Sequence, residues 1–244
     1  MIEIVPDWPV AKHIHAFTTT RHGGVSLPPY AQLNLGDHVG DDRQRVAQNR
    51  ALLTQYAHLP ESPRWLSQVH GTSVIDSQSW TMNCEADAIF SHNQNHVCAI
   101  LTADCLPILL SNKAGTCIAA IHAGWRGLLS GIIEKTVAQF NMPGQDILAW
   151  LGPAIGPEQF EVGNEVFEAF ESVQEHAHEA FSRTDDSHLL ADIYLLARQR
   201  LQAIGIDAIY GGSWCTVTDS ANFYSYRRDG ITGRMATLIW ISDK

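Results

Sequence analysis

CAILTADCLPILLSNKAGTCIAAIHAGWRG, residues 98–127, is the stretch whose reading decides the fold. It reads as three short apolar strands with two polar interruptions. The first interruption is Thr102-Ala103-Asp104-Cys105, and the second closes the third strand at His122-Ala123-Gly124-Trp125-Arg126-Gly127. Cys105 and His122 therefore stand where buried strands stop and side chains can meet. An earlier apolar run ends in the same way at Gln68-Val69-His70-Gly71. The expectation is that His70, Cys105 and His122 converge on one site.

Working outward, HIHAFTT at 13–19 reads as a strand. A long loop with turn chemistry follows, carrying Arg21-His22-Gly23-Gly24, Pro28-Pro29 and Asn34-Leu35-Gly36. Such a loop in a compact chain is more often functional than idle. Residues 41–57 read as a helix capped by Asp41 or Asp42, with Val46, Leu52, Leu53 and Tyr56 on its apolar face. Residues 64–76 read as two strands flanking a bend at His70-Gly71, and 86–91 as another strand. After the central stretch, the spacing of Leu128, Leu129, Ile132, Ile133, Val137 and Phe140 predicts one helix near 127–140. A strand at 147–151, helices at 164–175 and 190–204, and strands at 207–210 and 235–241 complete the pattern. Helices and strands do not alternate evenly, so one α/β domain with a mixed sheet is expected rather than a doubly wound one.

Composition narrows the function classes. The apolar fraction of 45% suits a real core, and 16 basic against 26 acidic residues give a net charge of −10. That balance argues against a basic nucleic-acid surface, although a local anion pocket fits it. The N-terminal MIEIVPDWPV lacks the pattern of a signal peptide, and Asp104 and Pro107 break the apolar run around Ile100, so no membrane partner is expected. Five irregularly spaced cysteines make no disulfide framework, which suggests a reducing, cytoplasmic setting.

Two imidazoles and one thiolate make a zinc set, because zinc accepts nitrogen and sulfur tetrahedrally and three protein ligands leave one position for water. The same residues admit a second reading, with Cys105 as nucleophile, His122 as base, and His70 or Asp104 orienting that base. Asp104 also suits a partner to a ligand histidine or a turn cap. A closed structural zinc would need a fourth ligand such as Cys98 or Cys117. Copper phenol oxidation is disfavoured: paired HxH motifs and a Cys-plus-Met arrangement are absent, and His13-Ile14-His15 stands apart from His176-Ala177-His178. Arg21, Arg227 and Arg228, in turn-rich loops, are the candidate clamp for a phosphate. They are expected to line the zinc cleft, Arg21 with at least one of the pair. His22 and His38 sit beside the glycine loop, and Trp125, next to His122, reads as a core residue first and a base-stacking wall second.

Taken together, FTTTRHGGVS, LNLGDHVGDD, QVHGTSV, ADAIFS, LTADCLPILL, AAIHAGWRG, LGPAIGP and CTVTDSANFYSYRRDGITGR resemble the YfiH-like, or laccase-domain, family, whose older label is polyphenol oxidase. The resemblance runs from about Phe17 to Arg234. It implies a single catalytic domain over 1–244, α/β, with a mixed β-sheet core sandwiched by helices and loosely similar to cysteine-hydrolase folds. It also implies His70, Cys105 and His122 as the ligands of one catalytic zinc. The implied activities are phosphorolysis of adenosine, inosine and methylthioadenosine, and deamination of adenosine, so nucleoside and phosphate are the implied partners. Bacterial members of the family are linked to peptidoglycan quality control.

Overall fold

The structure is a computed structural model and describes residues 3–243. Its first half runs β1 (Glu3–Ile4), β2 (Ile14–Thr19), α1 (Arg43–Tyr56), β3 (Val74–Asp76), β4 (Ala88–Ser91), β5 (Cys98–Thr102), β6 (Leu106–Asn112) and β7 (Ile118–Ala123). There follow α2 (Trp125–Leu129), α3 (Ile132–Val137), β8 (Ile147–Leu151), β9 (Glu161–Gly163), α4 (Asn164–Glu171), β10 (Phe181–Arg183) and β11 (His188–Ala191). The chain ends with α5 (Ile193–Ala203), β12 (Ala208–Gly211), α6 (Tyr226–Asp229) and β13 (Met235–Ile241).

The three central strands do not share one sheet. β5 lies in a four-stranded sheet of order β1-β2-β13-β5, whereas β6 and β7 lie at the centre of a six-stranded sheet of order β12-β8-β6-β7-β4-β3. Side chains alternate across a strand, so each strand feeds two cores. Along β6, Leu106, Ile108 and Leu110 face the helices while Leu109 faces the other sheet. Along β5, Cys98 and Ile100 join Leu109 between the sheets, and Ala99 and Leu101 face outward to Leu53 of α1 and to Leu33 and Leu35. On the far side of the six-stranded sheet, Ile132, Ile133, Leu196 and Leu201 of α3 and α5 close the core. The architecture is mixed α/β in four layers: helix and loop, sheet, sheet, helices. The pairings include parallel β3–β4 and β8–β12 among antiparallel neighbours.

Several sequence expectations need correction. Residues 64–76 do bend at His70-Gly71, but only one of the two expected strands forms: Arg64 and Ser67 make isolated parallel bridges to Cys98 and Glu85, and only β3 is a regular strand. Instead of folding back on itself, the chain is gathered at residues 69–71 by the Asp87 carboxylate. The single helix near 127–140 is two, because Gly131 adopts a left-handed φ of 89° between α2 and α3. Helix α5 starts at Ile193, with Asp192 accepting from the Leu195 amide, because residues 188–191 are strand β11. The small sheet β10-β11-β9 and helix α6 are additions. Helix α1 does start at an Asp42 cap, whose side chain accepts from the amides of Gln44 and Arg45.

Candidate active site

The crossing from one sheet to the other creates the site. Between β5 and β6 the chain passes through Asp104 with φ 91°, and Cys105 emerges at the seam. The strained Asp104 backbone is held by its own carboxylate, which accepts from Thr216 Oγ1 at 2.5 Å, Ser225 Oγ at 3.0 Å and the Arg227 amide at 2.6 Å. Asp104 thus fastens the start of α6 to the seam. It is not the partner of a site histidine.

That partner is Asp87, fully buried just before β4. Its Oδ1 accepts from His122 Nδ1 at 2.8 Å and from the His70 amide at 2.9 Å, while Oδ2 accepts from the Gly71 amide at 2.7 Å. One carboxylate therefore orients one ring and positions the backbone of the other histidine, whose φ is 60°. Because a carboxylate only accepts, Nδ1 of His122 carries a proton, and Nε2 is the atom turned to Cys105. His70 Nε2 lies 3.7 Å from Cys105 Sγ, and the two imidazole rings meet edge-on at 4.7 Å between centroids. Gly124 makes this approach possible, since a Cβ there would stand 3.0 Å from His70 Cδ2 and 3.1 Å from Cys105 Sγ.

One candidate ligand atom from each of His70, Cys105 and His122 falls within 4.8 Å of the other two. Two imidazole nitrogens and a sulfur, with one ring anchored by a carboxylate, suit a borderline-soft metal ion. No fourth ligand joins the cluster among the described residues; Cys98 and Cys117 are buried elsewhere. The electrostatics agree with a reactive centre. Burial opposes ionisation of Cys105, but the His122 and His70 imidazoles outweigh it and bring the thiol down to about 6. Burial likewise opposes a charged His122, yet Cys105 and Asp87 raise it to about 9. Without a metal the pair is a thiolate and an imidazolium.

The cluster opens on a cleft of about 400 Å³ lined by His38, Gln68, Leu101, Thr102, Tyr226 and Arg234 besides the three residues themselves. Beyond Cys105 and Tyr226 an adjoining slot of about 130 Å³ is walled by Trp125, Ile155, Phe160 and Ile193, with Arg227 at its edge. The structure places the three sequence-derived arginines differently. Arg227 reaches the slot, its guanidinium donating to the carbonyls of Gln159 and Glu161. Arg21 lines neither space. Its guanidinium donates to the carbonyls of Ala31 and Ser220 and lies 4.8 Å over the Tyr224 ring, tying the glycine loop to residues 220–224. Arg228 is held by the carbonyls of Thr216, Val217 and Phe223 and by Asp229. The cleft's own arginine is Arg234. Asp87 and Arg234 carry no flag in the sequence, although a carboxylate opening the apolar strand ADAIFS is the kind of buried polar signal that marks a functional group.

A two-sheet α/β protein with a carboxylate-anchored His-Cys-His cluster at the sheet seam defines the class. Residues 15–242 match the family described as multi-copper polyphenol oxidoreductase laccase, and the chain belongs to it. It is 53% identical over 239 residues to the purine nucleoside phosphorylase YfiH of Escherichia coli, covering 98% of each chain. It is 50% identical over 242 residues to a purine nucleoside phosphorylase of Haemophilus influenzae, covering 98% of this chain and 99% of the relative. The crystal structure of Neisseria meningitidis protein NMB0706 superposes with a TM-score of 0.95 at 43% identity, over 99% of both chains. These likenesses support an enzyme that processes purine nucleosides.

Proposed function

We propose that this protein is a zinc-dependent purine nucleoside phosphorylase that cleaves adenosine, inosine and methylthioadenosine to the free base and ribose 1-phosphate or methylthioribose 1-phosphate. The observation that carries the reading is the His70–Cys105–His122 cluster at the junction of a cleft, with His38, Thr102 and Arg234 on its polar side, and an aromatic slot. The slot, between Trp125, Phe160 and Tyr226, is the place for a flat purine ring. The sugar then lies across Cys105, with C1′ toward the polar side. A phosphate oxygen forms the new bond to C1′ as the C1′–N9 bond breaks. The electron pair leaves with the base, and the proton carried by hydrogen phosphate balances the N–H formed there.

Zinc fits the donor set better than a blue-copper centre does. Among the described residues no methionine lines the cleft, and Gln68, the other side chain able to serve as an axial ligand, uses both ends of its amide on the backbone of Leu101. When bound, zinc supplies a Lewis acid facing the open side of the cluster. Deamination of adenosine is the accompanying activity: water bonds to C6 as the C6–N6 bond breaks, and the nitrogen departs as ammonia. Five free thiols support action in the reducing cytoplasm.

One observation favours a second reading. Asp87, His122 and Cys105 also have the order of an orienter, base and nucleophile, which suits amide hydrolysis on a peptidoglycan precursor. Product analysis separates the two. Phosphorolysis gives ribose 1-phosphate only when inorganic phosphate is added. Free ribose formed without phosphate, or no turnover of any purine nucleoside by zinc-loaded protein, overturns the phosphorylase, and amide cleavage by metal-free protein establishes the alternative.

A further inference from the structure

Compared with Arg21, Arg227 and Arg228, Arg234 differs in what its guanidinium touches. Arg21, Arg227 and Arg228 have theirs committed to carbonyls or carboxylates. Arg234 commits only Nη1, to the carbonyls of Thr232 and Gly233 at 3.1 and 3.0 Å. Its Nε and Nη2, the paired edge of the fork, have no hydrogen-bond partner among the described residues, and no carboxylate makes an ion pair with it. Asp104, the carboxylate whose charge acts on Arg234, has its oxygens taken by Thr216, Ser225 and the Arg227 amide. Arg234 is half-buried on the cleft, with its guanidinium 5.9 Å over the Tyr226 ring, and a partly desolvated guanidinium is stabilised when an anion meets it.

The placement is built from the fold. The antiparallel pairing of Met235 with Thr102 brings Arg234 beside the seam where β5 ends, and its amide donates to Asn34 Oδ1 at 2.9 Å. Asn34 is itself buried and also accepts from the Gly36 amide, so the LNLGDH loop both seats Arg234 and presents His38. The third member is Thr102, 2% exposed, which lines the same cleft and whose buried hydroxyl has no partner among the described residues. The groups facing Arg234 are Cys105, Asp104, Tyr226, Tyr30 and His38.

We infer that Arg234, with Thr102 and His38, forms the phosphate subsite of this enzyme, on the opposite side of Cys105 from the aromatic slot. The free Nε and Nη2 match two oxygens of one phosphate side-on, and the hydroxyl and imidazole supply further donors. Base and phosphate then approach C1′ from opposite lobes, as displacement at that carbon requires. The identity of the anion rests on the phosphorolysis reading; the existence of an anion site does not.

The experiment uses zinc-loaded full-length protein and inorganic phosphate as the probe, with titration calorimetry beside steady-state kinetics. Arg234→Gln is expected to abolish measurable phosphate binding and to raise the phosphate KM at least about tenfold, leaving the nucleoside KM within about twofold. Arg234→Lys, which keeps the charge without the fork, should fall between, and serves if the glutamine variant does not fold. Thr102→Val should weaken phosphate binding about threefold. Arg234-dependent phosphate binding without ribose 1-phosphate formation would uphold the subsite and sink the phosphorylase reading. Phosphorolysis in Arg234→Gln and Arg234→Lys with an unchanged phosphate KM, or parallel rises in both KM values, would overturn the subsite and leave the reading standing.

Discussion

Two thiols in this molecule lie 3.7 Å from a histidine Nε2, and they are opposites. Cys105 faces His70, and Cys117 faces His92. Cys105 is drawn down to about 6, whereas burial pushes Cys117 up to about 12, with the Asp76 carboxylate adding to the effect. The sulfur–nitrogen contact is therefore not what makes a thiolate. Cys105 has a second imidazole, His122, whose far nitrogen is fixed by the buried Asp87. The His92 Nδ1 meets only the Thr116 carbonyl, and Cys117 lies within the helix-side core. The second imidazole, oriented by a buried carboxylate, is what separates the two sulfurs.

The comparison breaks most visibly if the wrong residues hold the metal. His70→Ala, Cys105→Ala and His122→Ala should each lose most bound zinc and with it both nucleoside activities, while Cys117→Ser keeps them. Metal analysis of the purified variants checks this, and full retention in the first three refutes it. Asp87→Asn comes next. It should weaken zinc affinity about 10–100-fold, measured by chelator competition, because the amide loses the negative charge that holds the His122 ring and the second oxygen that accepts from the Gly71 amide.

Reactivity sharpens the contrast. In metal-stripped protein near pH 7, iodoacetamide should modify Cys105 at least about a hundredfold faster than Cys117, since the thiolate is the reacting form. The Cys105 rate should fall as pH drops through about 6. Peptide mapping reads both sites, and equal rates would remove the distinction. Stability should follow the same groups. The Cys105 pKa is lowered in the fold, so its contribution is lost as pH falls through about 6. The His122 pKa is raised, so its contribution is lost as pH rises through about 9. Between those values one contribution grows while the other fades, so metal-free protein should show a broad plateau in melting temperature, which Asp87→Asn should lower. The smallest effect is that of Cys117→Ser, a stability loss of roughly 1 kcal/mol by denaturant melting.

The three cluster residues were legible because strand ends in an apolar run leave few places for polar side chains, and each of His70, Cys105 and His122 occupies one. The divorce of β5 from β6 was not legible. Runs buried on both faces carry no alternation to show which sheet they enter, and the switch depends on Asp104, whose ties to Thr216, Ser225 and Arg227 span more than a hundred residues. The glycine loop misdirected attention to Arg21, whose guanidinium fastens two loops together instead of facing the cleft. Arg234 depends on the pairing of β13 with β5, a long-range fact that local turn chemistry cannot reveal. The sheet β10-β11-β9 was hidden for another reason: its strands are three or four residues long and carry polar residues such as Ser182, Arg183 and His188.

The central claim is that one thiolate and two imidazoles hold a catalytic zinc at the seam of two sheets. X-ray absorption at the zinc edge of the purified protein tests it most directly. The expected result is one zinc per chain with a single sulfur at about 2.3 Å and two imidazole nitrogens at about 2.0–2.1 Å, the remaining position being filled by a light atom. The sulfur shell should vanish in Cys105→Ser and persist in Cys117→Ser. A sulfur-free zinc, a zinc bound by two or more sulfurs, or a sulfur shell that survives Cys105→Ser would contradict it.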